Sequence, residues 1–330
     1  MIETHVVNTF MASGLRESAW FPLLNYVNGL VAPSFLFVAG FVYGWERRIS
    51  PNKPVNYRRR ASRLLTIGAL GYALHFPSIE LAGHRWADAL RAGTQFDVLP
   101  CLALSLGLLL GVTWLAERME RLSRAAWWIG VVLLAATAVL GAPFVTSWTA
   151  GPVPLRALVN QTTGSLFPLL PWTGFVLLGA LAGAWLQRPI HERATGMIGL
   201  AVLAWSCRSV IFSPVSPSFF LERAAWVLAL AAVCEWSARR SLPPLILFAG
   251  KHSLTLYVTH LVLIGALAGI GVPAGLSPAA TLAVLAVVAG GSFAVASFSG
   301  RLAAWPAREW FARSRAETAA TLSPKPQLEL

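Results

Sequence analysis

The chain is short of charge. Only 12% of its 330 residues are Asp, Glu, Lys or Arg, while 56% are hydrophobic; a soluble domain carries roughly 25% charged residues. With a mean hydropathy of +0.62, the composition is that of a polytopic membrane protein. Cysteine is scarce as well. Cys101, Cys207 and Cys234 all lie inside apolar segments and none forms a CxxC pair, so neither a disulfide framework nor a zinc site is expected, and no other metal either. The first 20 residues hold neither the basic start nor the apolar run of a cleavable signal. An internal repeat of clear period is also lacking, which weighs against the duplicated halves of many transporters.

What charge there is leans positive, with 26 Lys and Arg against 14 Asp and Glu. A net +12 can mark a nucleic-acid binder, but here the basic residues come in short clusters between apolar runs, as in cytoplasmic loops. The expected partner is membrane lipid, not nucleic acid. Nine apolar runs lie at 29–46, 64–82, 96–116, 126–146, 166–187, 195–213, 219–237, 243–269 and 279–300. At about 20 residues each, they can cross the hydrocarbon core as helices. The connection after the first carries Arg47, Arg48, Lys53, Arg58, Arg59, Arg60 and Arg63, and such a cluster stays cytoplasmic. Alternation then puts Arg118–Arg124, Arg188–Arg193, Arg239–Arg240 and Arg301–Arg315 on the same side. The charge-poor loops near 83–95, 147–165, 214–218 and 270–278 fall outside.

The expected fold is therefore all-α: a polytopic bundle of nine to ten transmembrane helices forming one domain over 1–310. A polar, Pro-containing cytoplasmic tail over 311–330 reads as disordered. Residues 1–12 lie outside by this topology and are too short to cross. They read as the outer end of a truncated first helix that begins upstream, in preference to a segment packed at the outer rim of the bundle.

Ionisable side chains inside a membrane are costly, so each is a candidate for function. His75 lies about 11 residues and His260 about 15 residues into their runs, which at roughly 1.5 Å per residue carries both past the midplane. Arg208, Glu222, Asp97 and His5 belong to the same outer half by topology. Arg208 and Glu222 read best as a structural ion pair. His75, in GYALHFPS, is open to a second reading as a neutral core histidine bonded to a carbonyl. His260, in SLTLYVTH, shares a helical face with Ser253 and Tyr257, and reads equally as a structural cluster or as the wall of a site. Asp97 follows Gln95 at a helix start, where a carboxylate also suits the helix dipole. His84 and His191 lie in loops. His5, at a polar rim, suits proton abstraction from an acceptor hydroxyl or amine.

Five stretches, VNGLVAPSFLFVAGFVYG (27–44), NYRRRASRLL (56–65), QFDVLPCLALSL (95–106), SLFPLLPWTGFVLLGALAG (165–183) and GKHSLTLYVTHLVLI (250–264), resemble in this order the bacterial relatives of heparan-alpha-glucosaminide N-acetyltransferase. These belong to the wider integral-membrane acyltransferase superfamily. In that family an early helix ends in the active-site histidine, a role the resemblance gives to His5. The family's Asp and Arg-Gly, about one helix earlier, have no counterpart in this chain. The resemblance implies an acetyl-CoA (acyl-CoA) donor used from the cytoplasmic face and a carbohydrate or glycolipid acceptor reached from the other side. It further implies a multi-pass protein of the bacterial inner membrane, with a homodimer among the possible assemblies.

Under this reading His5 is the base or the nucleophile, with His75 and His260 as the other catalytic candidates and Asp97 as the orienting carboxylate. Asn25 and Asn28 are candidate oxyanion donors, and Gln95 and Tyr257 line the acceptor side. Arg47, Arg48, Arg58, Arg59, Arg60 and Arg63 can hold the phosphates of coenzyme A; each has a second reading as a topology signal or a contact for anionic lipid headgroups. The alternative function is a transporter or flippase whose polar cluster is a substrate site.

Overall fold

The computed structural model describes residues 1–49, 55–76, 84, 86–119, 122–146, 148–161, 165–185, 190–206, 216–237 and 242–299. Every regular element among them is a helix; one isolated bridge joins Met11 to Leu276. In chain order the helices are α1 (Ile2–Phe10), α2 (Ser13–Arg16), α3 (Phe21–Asn28), α4 (Val31–Ile49), α5 (Tyr57–Leu74), α6 (Trp86–Gly93), α7 (Val98–Glu117), α8 (Ser123–Val145), α9 (Val153–Val159), α10 (Leu169–Trp185), α11 (Ile190–Ser206), α12 (Pro217–Ser237), α13 (Pro244–Lys251), α14 (Ser253–Gly269) and α15 (Pro278–Ser299).

The fold is the all-α polytopic bundle expected, and each of the nine apolar runs overlaps a helix within the described residues. Among the described residues five stretches are long and apolar enough to cross a membrane: Phe21–Arg47, α7, α8, α12 and α15. α13 and α14 make a sixth only if counted as one span bent by 79°. That is fewer than nine to ten, for local reasons. α5 begins with Tyr57, Arg58, Arg59 and Arg60, and α10 has only 17 residues.

Two corrections to depth follow. Asn56 caps α5, its side chain accepting the amide of Arg59 at 2.9 Å, and arginine favours helix. The helix therefore starts well before residue 64 and ends at Leu74, making His75 its C-cap. The eighth run breaks at His252, so His260 lies midway along the shorter α14, not deep in one long helix.

The described chain packs as two compact units: a terminal unit of Met1–Pro22 with Leu242–Leu330, and a central unit of Leu23–Ser241. In the central unit α4 and α10 meet backbone to backbone. A Cβ on Gly40 would lie 1.8 Å from the Val176 carbonyl oxygen, and one on Gly179 2.0 Å from that of Phe37. Gly44 and Gly183 repeat the arrangement one turn on, at 2.1 Å each, so any side chain there would force the helices apart. Hydroxyls bridge the helices alongside: Tyr43 to Thr113 at 2.8 Å, and Ser105 to Thr173 at 2.8 Å.

In the terminal unit α1 packs through Val6 and Phe10 against Ile264 of α14 and Val288 of α15. The end of α1 is satisfied from outside the helix. Arg16 donates to the carbonyls of Asn8 at 2.7 Å and Val7 at 3.3 Å, and the amides of Gly275 and Leu276 donate to Phe10 at 2.9 and 2.7 Å. These are among the carbonyls a helix end leaves without partners.

Candidate active site

The terminal unit gathers His5, Tyr257 and His260. His260 is fully buried on α14. Its Nδ1 lies 2.9 Å from the carbonyl oxygen of Leu256, one turn earlier. A carbonyl can only accept, so that contact places the ring proton on Nδ1 and the lone pair on Nε2. Nε2 is buried and has no hydrogen-bond partner among the described residues. The His5 ring lies 5.2 Å away, tilted by 45°, and Tyr257 stands edge-on at 5.5 Å. Two further buried polar atoms on α1, Glu3 Oε1 and Thr4 Oγ1, are also without partners. A buried polar atom left unsatisfied costs roughly 1–3 kcal/mol, which makes an unpaired imidazole nitrogen beside a second imidazole a candidate place for chemistry or a ligand.

The central unit holds a second histidine arrangement. His75 Nδ1 lies 3.1 Å from the Gly71 carbonyl, and its Nε2 lies 3.4 Å from Asp97 Oδ2. Asp97 in turn caps α7, its other oxygen accepting the Val98 amide at 2.7 Å. Asp97, expected to orient His5, thus contacts His75, because α5 ends where α7 begins. With an acceptor at each nitrogen, the His75 ring is held on both sides. Gln95 is half-buried two residues before Asp97, and on α3 Asn25 is exposed and Asn28 half-buried.

The basic cluster separates into engaged and unengaged members. Arg47 pairs with Glu117 at 2.6 Å and Arg60 with Glu46 at 3.0 Å; Tyr57 also donates to Glu117. Arg58, Arg59 and Arg63 are exposed, and no described carboxylate lies within ion-pair distance of them. The side chain of Arg48 lies outside the described residues, as do Arg208 and Cys207. Glu222, expected to pair with Arg208, accepts from the Tyr26 hydroxyl at 2.5 Å. The carbonyl bond that the sequence left open for His75 is made, to Gly71, while sequence reasoning missed the Leu256 carbonyl that sets the nitrogen roles of His260. Among the described residues no three His, Cys, Asp or Glu side chains gather as metal ligands would.

The family model for heparan-alpha-glucosaminide N-acetyltransferase, catalytic, matches residues 1–211. The chain belongs to that family. No curated protein and no solved structure matches it. Membership of the heparan-alpha-glucosaminide N-acetyltransferase family makes this a multi-pass membrane protein of acetyltransferase type. The match takes in His5, the arginines, His75 and Asp97; Tyr257 and His260 follow it in the chain.

Proposed function

We propose that the protein transfers an acetyl group from acyl-CoA, acetyl-CoA foremost, to a hydroxyl or amine of a sugar or glycolipid. The donor is supplied at the cytoplasmic face of a bacterial inner membrane and the acceptor is reached from the outer side. One observation carries the reading: the unpaired, proton-free Nε2 of His260 beside the ring of His5. As the acceptor oxygen or nitrogen attacks the acetyl carbonyl, this lone pair takes its proton. The C–S bond then breaks, and the departing thiolate of coenzyme A recovers the proton. His5 either shares the base role or carries the acetyl group as an acyl-imidazole before the acceptor receives it. Arg59 and Arg63 of α5, exposed and with no described carboxylate within ion-pair distance, offer charge to the donor's phosphates.

The transporter alternative gains one observation, the 79° break between α13 and α14. Transporter folds built on broken helices use them in pairs from two repeats, however, and only one such break is present among the described residues. The deciding measurement is transfer of labelled acetyl from acetyl-CoA by the purified chain in bilayer discs. His5→Ala and His260→Ala should each leave a folded protein and lower transfer by roughly 10² to 10⁴, the worth of a positioned base. His5→Gln should not rescue, since an amide cannot carry the proton. Full transfer in both alanine variants ends the reading. For orientation, an outside-only thiol probe should label a cysteine placed at Pro152 and spare one at Ser50; the reverse would invert the topology.

A further inference from the structure

A groove of about 670 Å³ runs along the central unit between α5 and α7. Its α5 wall is the stripe Ala61, Leu65, Gly68 and Tyr72, spaced by four, three and four so that it forms one helical face. The facing wall on α7 includes Ala103, Gly107 and Leu110. Every lining residue is apolar apart from Tyr72. Small residues create the space. A Cβ on Gly68 would meet only the Ala103 methyl at 3.6 Å, and one on Gly107 only Leu64 at 4.0 Å, so room for side chains has been left unfilled at the crossing.

The dimensions and the chemistry of the two ends narrow the occupant. From Ala61 to Tyr72 is 72 − 61 = 11 residues, or roughly 16 Å along the helix. That is about half of the roughly 30 Å hydrocarbon core, the depth of a single leaflet. Arg58 stands three residues before Ala61 on the same face. It is exposed and has no described carboxylate within ion-pair distance, whereas Arg47 and Arg60 are neutralised by Glu117 and Glu46. An apolar slot one leaflet deep, ending at a guanidinium with no described carboxylate partner, is complementary to an amphiphile with a hydrocarbon chain and a phosphate. The pantetheine arm of coenzyme A fits it poorly, because two amides would be stranded against apolar walls.

We propose that this groove seats one acyl chain of an anionic membrane phospholipid whose phosphate is held by Arg58. Arg59 and Arg63 are then left for the donor, and the lipid site stands whether or not the chain transfers acetyl groups.

The test uses the purified full chain, exchanged into detergent with phosphatidylglycerol or phosphatidylcholine of identical chains, and counts retained lipid by native mass spectrometry. Phosphatidylglycerol should be retained in preference. Arg58→Gln should reduce that preference roughly fivefold, the effect of one basic side chain at an anionic surface, while leaving the fold intact. Gly68→Leu and Ala69→Leu, which fill the groove, should lower retention of both lipids. Equal retention of the two lipids by the native chain would overturn the proposal. So would unchanged retention in both filled variants, or displacement of phosphatidylglycerol by free coenzyme A. Should the filled variants fail to fold, the Arg58→Gln comparison decides alone.

Discussion

His260 in the terminal unit and His75 in the central unit begin from the same local bond. Each directs Nδ1 at the carbonyl four residues earlier, Leu256 at 2.9 Å and Gly71 at 3.1 Å. They differ at the other nitrogen. His75 meets Asp97 at 3.4 Å and is about a third exposed, whereas His260 is fully buried, meets no described partner at Nε2 and lies against His5. The backbone carbonyl makes Nδ1 the donor in both cases, and the surroundings of Nε2 decide what the ring can do. A nitrogen facing a carboxylate is stabilised as a donor; a nitrogen facing nothing keeps its lone pair. By this criterion His260 is the histidine proposed to take a proton, and His75 ties the end of α5 to the start of α7.

The comparison breaks most easily at its strongest point. His260→Ala should cost the roughly 10² to 10⁴ in acetyl transfer expected of a base, while His75→Ala should change the rate by only a few-fold, through loosening of the α5–α7 junction. Equal losses in the two variants, measured side by side with melting temperatures to exclude unfolding, would show that the state of Nε2 does not separate their roles.

Much of this fold is legible in the chain. Apolar runs locate the helices, and the GFVYG and GALAG segments at 40–44 and 179–183 already display the four-residue glycine spacing by which α4 and α10 make contact. The candidate site is less legible. That α14 begins anew at Ser253, after a break at His252, depends on how α13 and α14 pack and not on any proline at the break. The partner of Asp97 depends on where α5 stops, which Asn56 influences from a full helix away. A carbonyl four positions earlier is available to every helical histidine, so only the rotamer reveals that Leu256 and Gly71 are used. The arginine cluster is visible at once, but its division into paired and unpaired members requires Glu46 and Glu117, which lie on neighbouring helices.

A smaller effect sharpens the central-unit side. Asp97→Ala removes both the cap of α7 and the contact to His75, and should lower stability by about 1–2 kcal/mol, most of it from the cap. This should be visible as a melting temperature reduced by a few degrees, with acetyl transfer per folded molecule nearly unchanged. A stable Asp97→Ala protein would mean that the α5–α7 junction is held by packing alone, for instance by Pro100 against Gly71.

The smallest expected effect is the most discriminating. Asp97→Asn preserves the shape of the side chain, and its single carbonyl oxygen can still accept the Val98 amide, so the cap survives. What is lost is the negative charge beside His75 Nε2. If Asp97 only fastens the junction, the cost should stay below about 1 kcal/mol, as for one partly exposed polar contact, and transfer should remain within about twofold of the native rate. If Asp97 instead orients a reacting imidazole on His75, the carboxylate-to-amide change should depress the rate by orders of magnitude with stability intact, as it does where a carboxylate holds a catalytic histidine. Measuring kcat and melting temperature together on Asp97→Asn therefore separates a fastening carboxylate from a catalytic one. A large fall in kcat without loss of stability would put His75 at the centre of the mechanism in place of His260.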